Sequence, residues 1–205
     1  SLATVSTVIE LPAKGTAEIE VSVVVADGDA VVGPGRAELS GLAPSGDAAL
    51  DRWAAQALAD CRALLLDAGD GPFVAAGAPW FLTLFGRDSL IAARFLLPVS
   101  TSLAAATLRT LAARQGTKTD DATAEQPGKI LHEVRAGAFT LPGEGLALPP
   151  VYYGTIDATG LWIILLHDAW CAGLPDDEVR ALLPALHAAL GWLRDDSCPD
   201  DSGFL

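Results

Sequence analysis

Residues 158–193 read ATGLWIILLHDAWCAGLPDDEVRALLPALHAALGWL, and this stretch decides the fold class. The spacing predicts a helix over 158–172, with the apolar run Leu161–Leu166 inside it and Gly173 as its stop. After Pro175, the acidic Asp176, Asp177 and Glu178 suit a helix N-terminus, where the backbone dipole favours negative charge. Val179, Leu182, Leu186, Leu190 and Leu193 then recur at helical spacing. Two helices joined by about four residues lie antiparallel as neighbours. The chain is therefore expected to be mainly α.

Upstream the same reading repeats. Asp47 is an expected N-cap for a helix whose face carries Leu50, Trp53, Ala57, Cys61, Leu64 and Leu65, with Gly69 as its stop. A second helix is predicted over 89–97, halted by Pro98, and a third over 102–115, closed by Gly116. Helices two and three are joined by about four residues, whereas about 19 separate one from two and about 42 separate three from four. This alternation puts both long loops at one end of the helical array, the end where chemistry is expected. The tail from Asp195 to Leu205 reads as the start of a third long loop at that end. Residues 1–45 have strand character instead, with Thr4–Leu11 and Ala17–Val25 flanking a turn at Pro12–Gly15. Two strands do not make a stable unit in water. They are expected to end a larger β domain, with a Gly-, Pro- and Ser-rich linker over 33–46, and a helical domain over 46–205.

Composition narrows the function. Hydrophobic residues make up 51% of the chain and mean hydropathy is +0.36, which excludes a disordered chain. Much of that content is Ala, a helix former. The run Leu161–Leu166 falls far short of the roughly 20 residues that a membrane span needs. A net charge of −13 opposes nucleic acid and anionic membranes, both of which require clustered Lys and Arg. Cys61, Cys171 and Cys198 show no ligand-like spacing and read as free thiols of a reducing, cytoplasmic compartment, with Cys61 a small core residue. No metal site, cofactor or phosphate loop is visible in the sequence.

The first long loop holds Trp80, Phe81 and Phe85 beside Arg87 and Asp88. Sugars present apolar C–H faces and rings of hydroxyls, and aromatic platforms with charged hydrogen-bonding groups complement both. The plainer alternative makes Asp88 a helix cap and Arg87 a solvated side chain. The second long loop holds His132 and Glu133, then Tyr152, Tyr153, Thr155 and Asp157. Asp157 reads as the N-cap of the following helix, as a general acid whose pKa apolar surroundings raise, or as both, although a helix N-terminus on its own favours the ionised form. His132 and Glu133 also fit an ordinary salt-bridged strand pair, while His167 and His187 read as structural.

The runs PWFLTLFGRDSL (79–90), LRTLAARQGTKTDDATAEQPGKILHEVR (108–135) and YYGTIDAT (152–159), taken in this order, resemble the catalytic domain of bacterial amylo-α-1,6-glucosidase and glycogen-debranching-type proteins. These are relatives of the glucoamylase-like glycosidases. The resemblance covers about residues 48–205 and implies part of an (α/α)6 toroid, the six-hairpin glycosidase fold, preceded by the last strands of a β-sandwich. Five of the twelve helices would be present. It implies a glycoside hydrolase that cleaves α-glucosidic bonds, by inversion, in an oligosaccharide or polysaccharide. Arg87 and Asp88 match the pair that grips sugar hydroxyls in the −1 subsite, and Asp157 matches the general acid. Gly160 stands where relatives commonly carry Pro. The general base of such enzymes is a Glu from a late barrel loop, to which no residue here corresponds. The expected site is thus Asp157 as proton donor, with Trp80, Arg87, Asp88, His132, Glu133, Tyr153 and Thr155 as sugar contacts. The chain alone is expected to be inactive and to self-associate through exposed half-barrel faces. The rival readings are a non-catalytic glycan-binding or structural half-barrel, and a terpene cyclase. Arg87 and Asp88 count against the cyclase.

Overall fold

Burial on three sides makes α4 (Asp157–Cys171) the centre of the fold. Its apolar run leaves Ala158, Trp162, Leu165, Leu166 and Ala169 buried, and it packs against α2 (Gly86–Phe95), α3 (Thr101–Ala112) and α5 (Asp176–Asp195). The structure, a computed structural model, describes residues 6–20, 28–40, 42–141 and 146–197. The fold is mainly helical, with α1 (Ala48–Ala63) completing the set of five helices among the described residues. Trp162 is fully buried, and its indole N–H donates to the Leu108 carbonyl at 3.0 Å, so the largest core side chain has its one polar group satisfied.

Ion pairs fix the relative direction of α2 and α4. Arg87 in the first turn of α2 meets Asp157 at the start of α4 at 2.9 Å, and Arg94 near the end of α2 meets Asp168 near the end of α4 at 2.7 Å. The two helices therefore run the same way, with α3 returning between them. This geometry follows from one short and one long connection in succession. Both long loops emerge at the same end, and there they zip together. Gly86 N–H donates to His132 O at 2.8 Å, Val134 N–H to Leu84 O at 3.1 Å, and the Thr83 hydroxyl to Val134 O at 2.6 Å.

Short strands brace these loops. β1 (Gly33–Pro34), β2 (Leu65–Asp67) and β3 (Pro72–Val74) form an antiparallel sheet. In the second loop, β4 (Glu133–Val134) pairs with β7 (Val151–Tyr152), and β5 (Phe139–Leu141) with β6 (Leu146–Leu148), both antiparallel. Gly86 sits where the loops cross, and a Cβ there would overlap the Leu131 carbonyl oxygen.

Several sequence expectations are corrected. The described residues 6–20 form no strand, no described segment pairs with them, and Val8 and Leu11 are exposed. The rest of the expected strands (residues 4–5 and 21–25), Cys198 and the tail over 198–205 lie outside the described residues. The expected linker contributes β1, and Leu39 is buried with Leu58 and Leu65, so residues 33–40 pack onto the helical unit. Helix α1 is capped by Asp47 as expected, its carboxylate accepting from Ala49 N–H and Leu50 N–H. It ends at Ala63 instead of reaching Gly69, because Leu65–Asp67 is taken up by pairing with β3. Its buried position is Leu58, while Trp53 is 68% exposed. Cys61 is half-buried at the edge of that cluster. Helix α2 starts at Gly86, not Ser89, which moves Arg87 and Asp88 into its first turn.

Candidate active site

The loop ends and helix starts enclose a cleft of about 550 Å³ lined by Arg87, Lys129, His132, Gly154, Thr155, Ile156 and Asp157. Each lining group is placed by backbone. Arg87 is held by the pairing of Gly86 with His132, and Asp157 by the turn over Tyr153–Thr155, where Thr155 N–H donates to Tyr153 O at 2.7 Å. Neither helix has a side-chain cap, since Phe85 precedes α2 and Ile156 precedes α4. Both alternatives that made Asp88 or Asp157 a cap are therefore corrected. Asp157 is the first residue of α4, and its carboxylate is free to turn into the cleft.

There it has two partners. Arg87 Nη1 donates to Asp157 Oδ2 at 2.9 Å, and the Thr155 hydroxyl donates to Oδ1. Burial of the carboxyl acts to raise its pKa, but the Thr155 hydrogen bond and the Arg87 charge together outweigh it and hold Asp157 below the usual carboxylate value. The expectation of a raised pKa is corrected: Asp157 is an ionised, ion-paired acceptor. About a third of its side chain is exposed (35%), so it remains open to the cleft.

His132 forms the adjoining wall. Its ring meets Phe85 and Tyr152 edge-on, at 5.6 and 6.0 Å between centroids. Burial lowers its pKa, Glu133 opposing and Arg87 assisting, so the imidazole is neutral at physiological pH. Its Nδ1 is buried without a hydrogen-bond partner among the described residues. Asp88 is half-buried in the first turn of α2, close enough for its charge to act on His132.

The other expected sugar contacts are not gathered here. Glu133 is 2% exposed, and it pairs with Arg135 at 2.8 Å instead of with His132. Tyr153 is buried, and its hydroxyl donates to the Arg114 carbonyl at 2.8 Å, away from the cleft. Trp80 is exposed and lines a separate groove with Leu66, Thr83 and Arg135. For Glu133 and Tyr153 a nearer partner claims the side chain, and sequence spacing gives no sign of that.

Lys129 was not singled out from the sequence. It is 8% exposed, its ammonium donates to Ala124 O at 3.2 Å and lies over the Trp192 ring, and burial lowers its pKa. A Lys leading straight into the apolar pair Ile130–Leu131 was the available signal. Among the described residues no group of His, Cys, Asp and Glu is arranged to hold a metal ion, and no helix is long and apolar enough to cross a membrane. Comparison of the chain with protein-family models gives no match, and a search of curated proteins gives none.

Proposed function

We propose that the cleft binds a pyranose of an α-linked glucan, and that the chain is part of a glycoside hydrolase of the glycogen-debranching, glucoamylase-like type, its helices forming part of an (α/α)6 toroid. The observation that carries this reading is the meeting of Arg87 and Asp157 across the two long loops, in a cleft with a neutral imidazole on its wall. A guanidinium offers several donors in a fixed plane, which suits adjacent sugar hydroxyls. Asp88, one residue on, adds an acceptor.

The ion pair also suggests how a proton donor arises. Sugar hydroxyls that take over Arg87 withdraw a cation from Asp157. The closing sugar excludes water, so desolvation, already the largest influence on this carboxyl, gains the upper hand. The carboxyl then takes up a proton and delivers it to the glycosidic oxygen. Inversion needs a second carboxylate roughly 6.5–9.5 Å away to activate water, and we assign that role to no residue of this chain. Turnover of maltooligosaccharides by this chain alone is accordingly expected to be absent, and measurable hydrolysis would contradict the assignment of roles.

A second reading, glycan binding without hydrolysis, is favoured by the same depressed pKa, because an ionised Asp157 is a good hydroxyl acceptor and a poor acid. Both readings are tested by isothermal titration with maltotetraose. Wild type is expected to bind, and Arg87→Ala and Asp88→Ala each to weaken binding about tenfold or more, the scale of one lost charged hydrogen bond. Equal affinity in all three proteins would overturn both.

A further inference from the structure

At the opposite end of the α2–α4 pair from the cleft, three side chains on α4 stand in series. Cys171 Sγ lies 3.6 Å from His167 Nε2, and His167 Nδ1 lies 3.2 Å from Asp168 Oδ1. Asp168 is in turn held from α2 by Arg94 Nε at 2.7 Å, and the Arg94 and His167 hydrogen bonds keep its pKa below the ordinary value. Cys171 is exposed. From the sequence, His167 reads as structural and Cys171 as a free thiol with no assigned role.

The order of these contacts has a chemical consequence. A carboxylate accepts only, so Asp168 selects the tautomer in which Nδ1 carries the hydrogen. That leaves Nε2 as an acceptor facing the thiol. Nucleophile, base and orienting carboxylate thus follow the arrangement that activates a weak nucleophile. Beside them an apolar groove of about 450 Å³ runs between α4 and α5, with His167 on its wall among Leu166, Trp170, Val179, Leu183 and Leu190. A flat apolar group seated there would lie against His167, one helical turn from the sulfur.

We propose that Cys171 is a modification site that undergoes thiol–disulfide exchange with small aromatic disulfides, with His167 as its base and Asp168 as a positioning residue. The Cys171 proton passes to His167 Nε2 as Sγ bonds to one sulfur of the disulfide. The S–S bond breaks, and the departing sulfur leaves as a thiol carrying that proton. The protein sulfur is oxidised to a mixed disulfide, and the released half is reduced, so no further oxidant is needed. The charges facing this array are Asp168 on its own helix, Arg94 from α2, and Asp176 and Arg180 from α5, which pair with each other at 3.1 Å.

The test uses dithiodipyridine, a neutral aromatic disulfide, with release of thiopyridone followed by absorbance and the labelled cysteine identified by peptide mapping. At about pH 7, Cys171 is expected to react about tenfold faster than N-acetylcysteine, and His167→Gln to remove that advantage. Near pH 10, where a thiol ionises unaided, wild type and His167→Gln should converge, which separates a base from a merely structural residue. Asp168→Ala should lower the rate near pH 7 toward that of His167→Gln, because the tautomer with an open Nε2 is no longer selected. Equal rates for wild type and His167→Gln at neutral pH, or label appearing first on Cys61 or Cys198, would overturn the proposal.

Discussion

Asp157 carries more of this account than any other residue, and its ionisation is a stability statement. Its folded pKa lies below the ordinary value, so it adds stability above the unfolded carboxylate pKa of about 3.9, and that stability is lost as pH falls through the depressed folded value. The contribution is modest because the pair is part-exposed and screened by solvent. Urea unfolding at a series of pH values should show wild type above Asp157→Asn near neutrality and the gap closing below about pH 4. Arg87→Ala should raise the Asp157 pKa, followed by carboxyl-carbon NMR, because burial then acts against only the hydrogen bonds from the Thr155 hydroxyl and Asp157's own backbone N–H. An unchanged pKa would mean that the ion pair carries no weight. Arg87, Asp88 and Asp157 draw notice in the sequence because each lies among aromatic residues in a long loop ahead of an expected helix; the 2.9 Å meeting of Arg87 with Asp157 is set by the fold. The sequestered roles of Glu133 and Tyr153 are not legible there, since Arg135 and the Arg114 carbonyl reach them only through the fold.

At the scale of elements, the second long loop is pinned to α4 by one buried hydrogen bond, from Ile130 N–H to the Thr159 hydroxyl at 2.9 Å. Thr159→Val keeps the shape and leaves that N–H buried and unpaired, so it should cost about 1–3 kcal/mol in urea unfolding. Gly86→Ala should cost a similar amount, about 1–3 kcal/mol, because a methyl there meets the Leu131 backbone, which cannot swing aside as a side chain would. If either variant unfolds like wild type, the crossing of the loops is looser than described. Helix existence was readable from apolar period and caps, as Asp47 shows for α1. Boundaries were less so. Helix α2 begins three residues early because Gly86 is drawn in by its bond to His132 O, a partner 46 residues away in sequence, which no local pattern contains.

For the molecule as a whole, the apolar groove between α4 and α5 leaves Trp170, Leu183 and Leu190 exposed on one side. A contiguous apolar surface of this kind promotes association. Light scattering should show apparent mass rising with concentration, and Leu190→Glu should suppress the rise. The alternation of long and short connections, read from the sequence, corresponds to the end at which the Arg87–Asp157 pair forms. The proposed conversion of Asp157 from resting acceptor to proton donor on sugar binding would link the cleft, the ion pair and the chemistry. Its most direct test is the Asp157 pKa, read by carboxyl-carbon NMR with and without saturating maltotetraose. The account predicts a value below the ordinary carboxylate range in the free protein and a clear rise in the complex as Arg87 is drawn to the sugar. A saturated complex in which Asp157 titrates as it does in the free protein would contradict it.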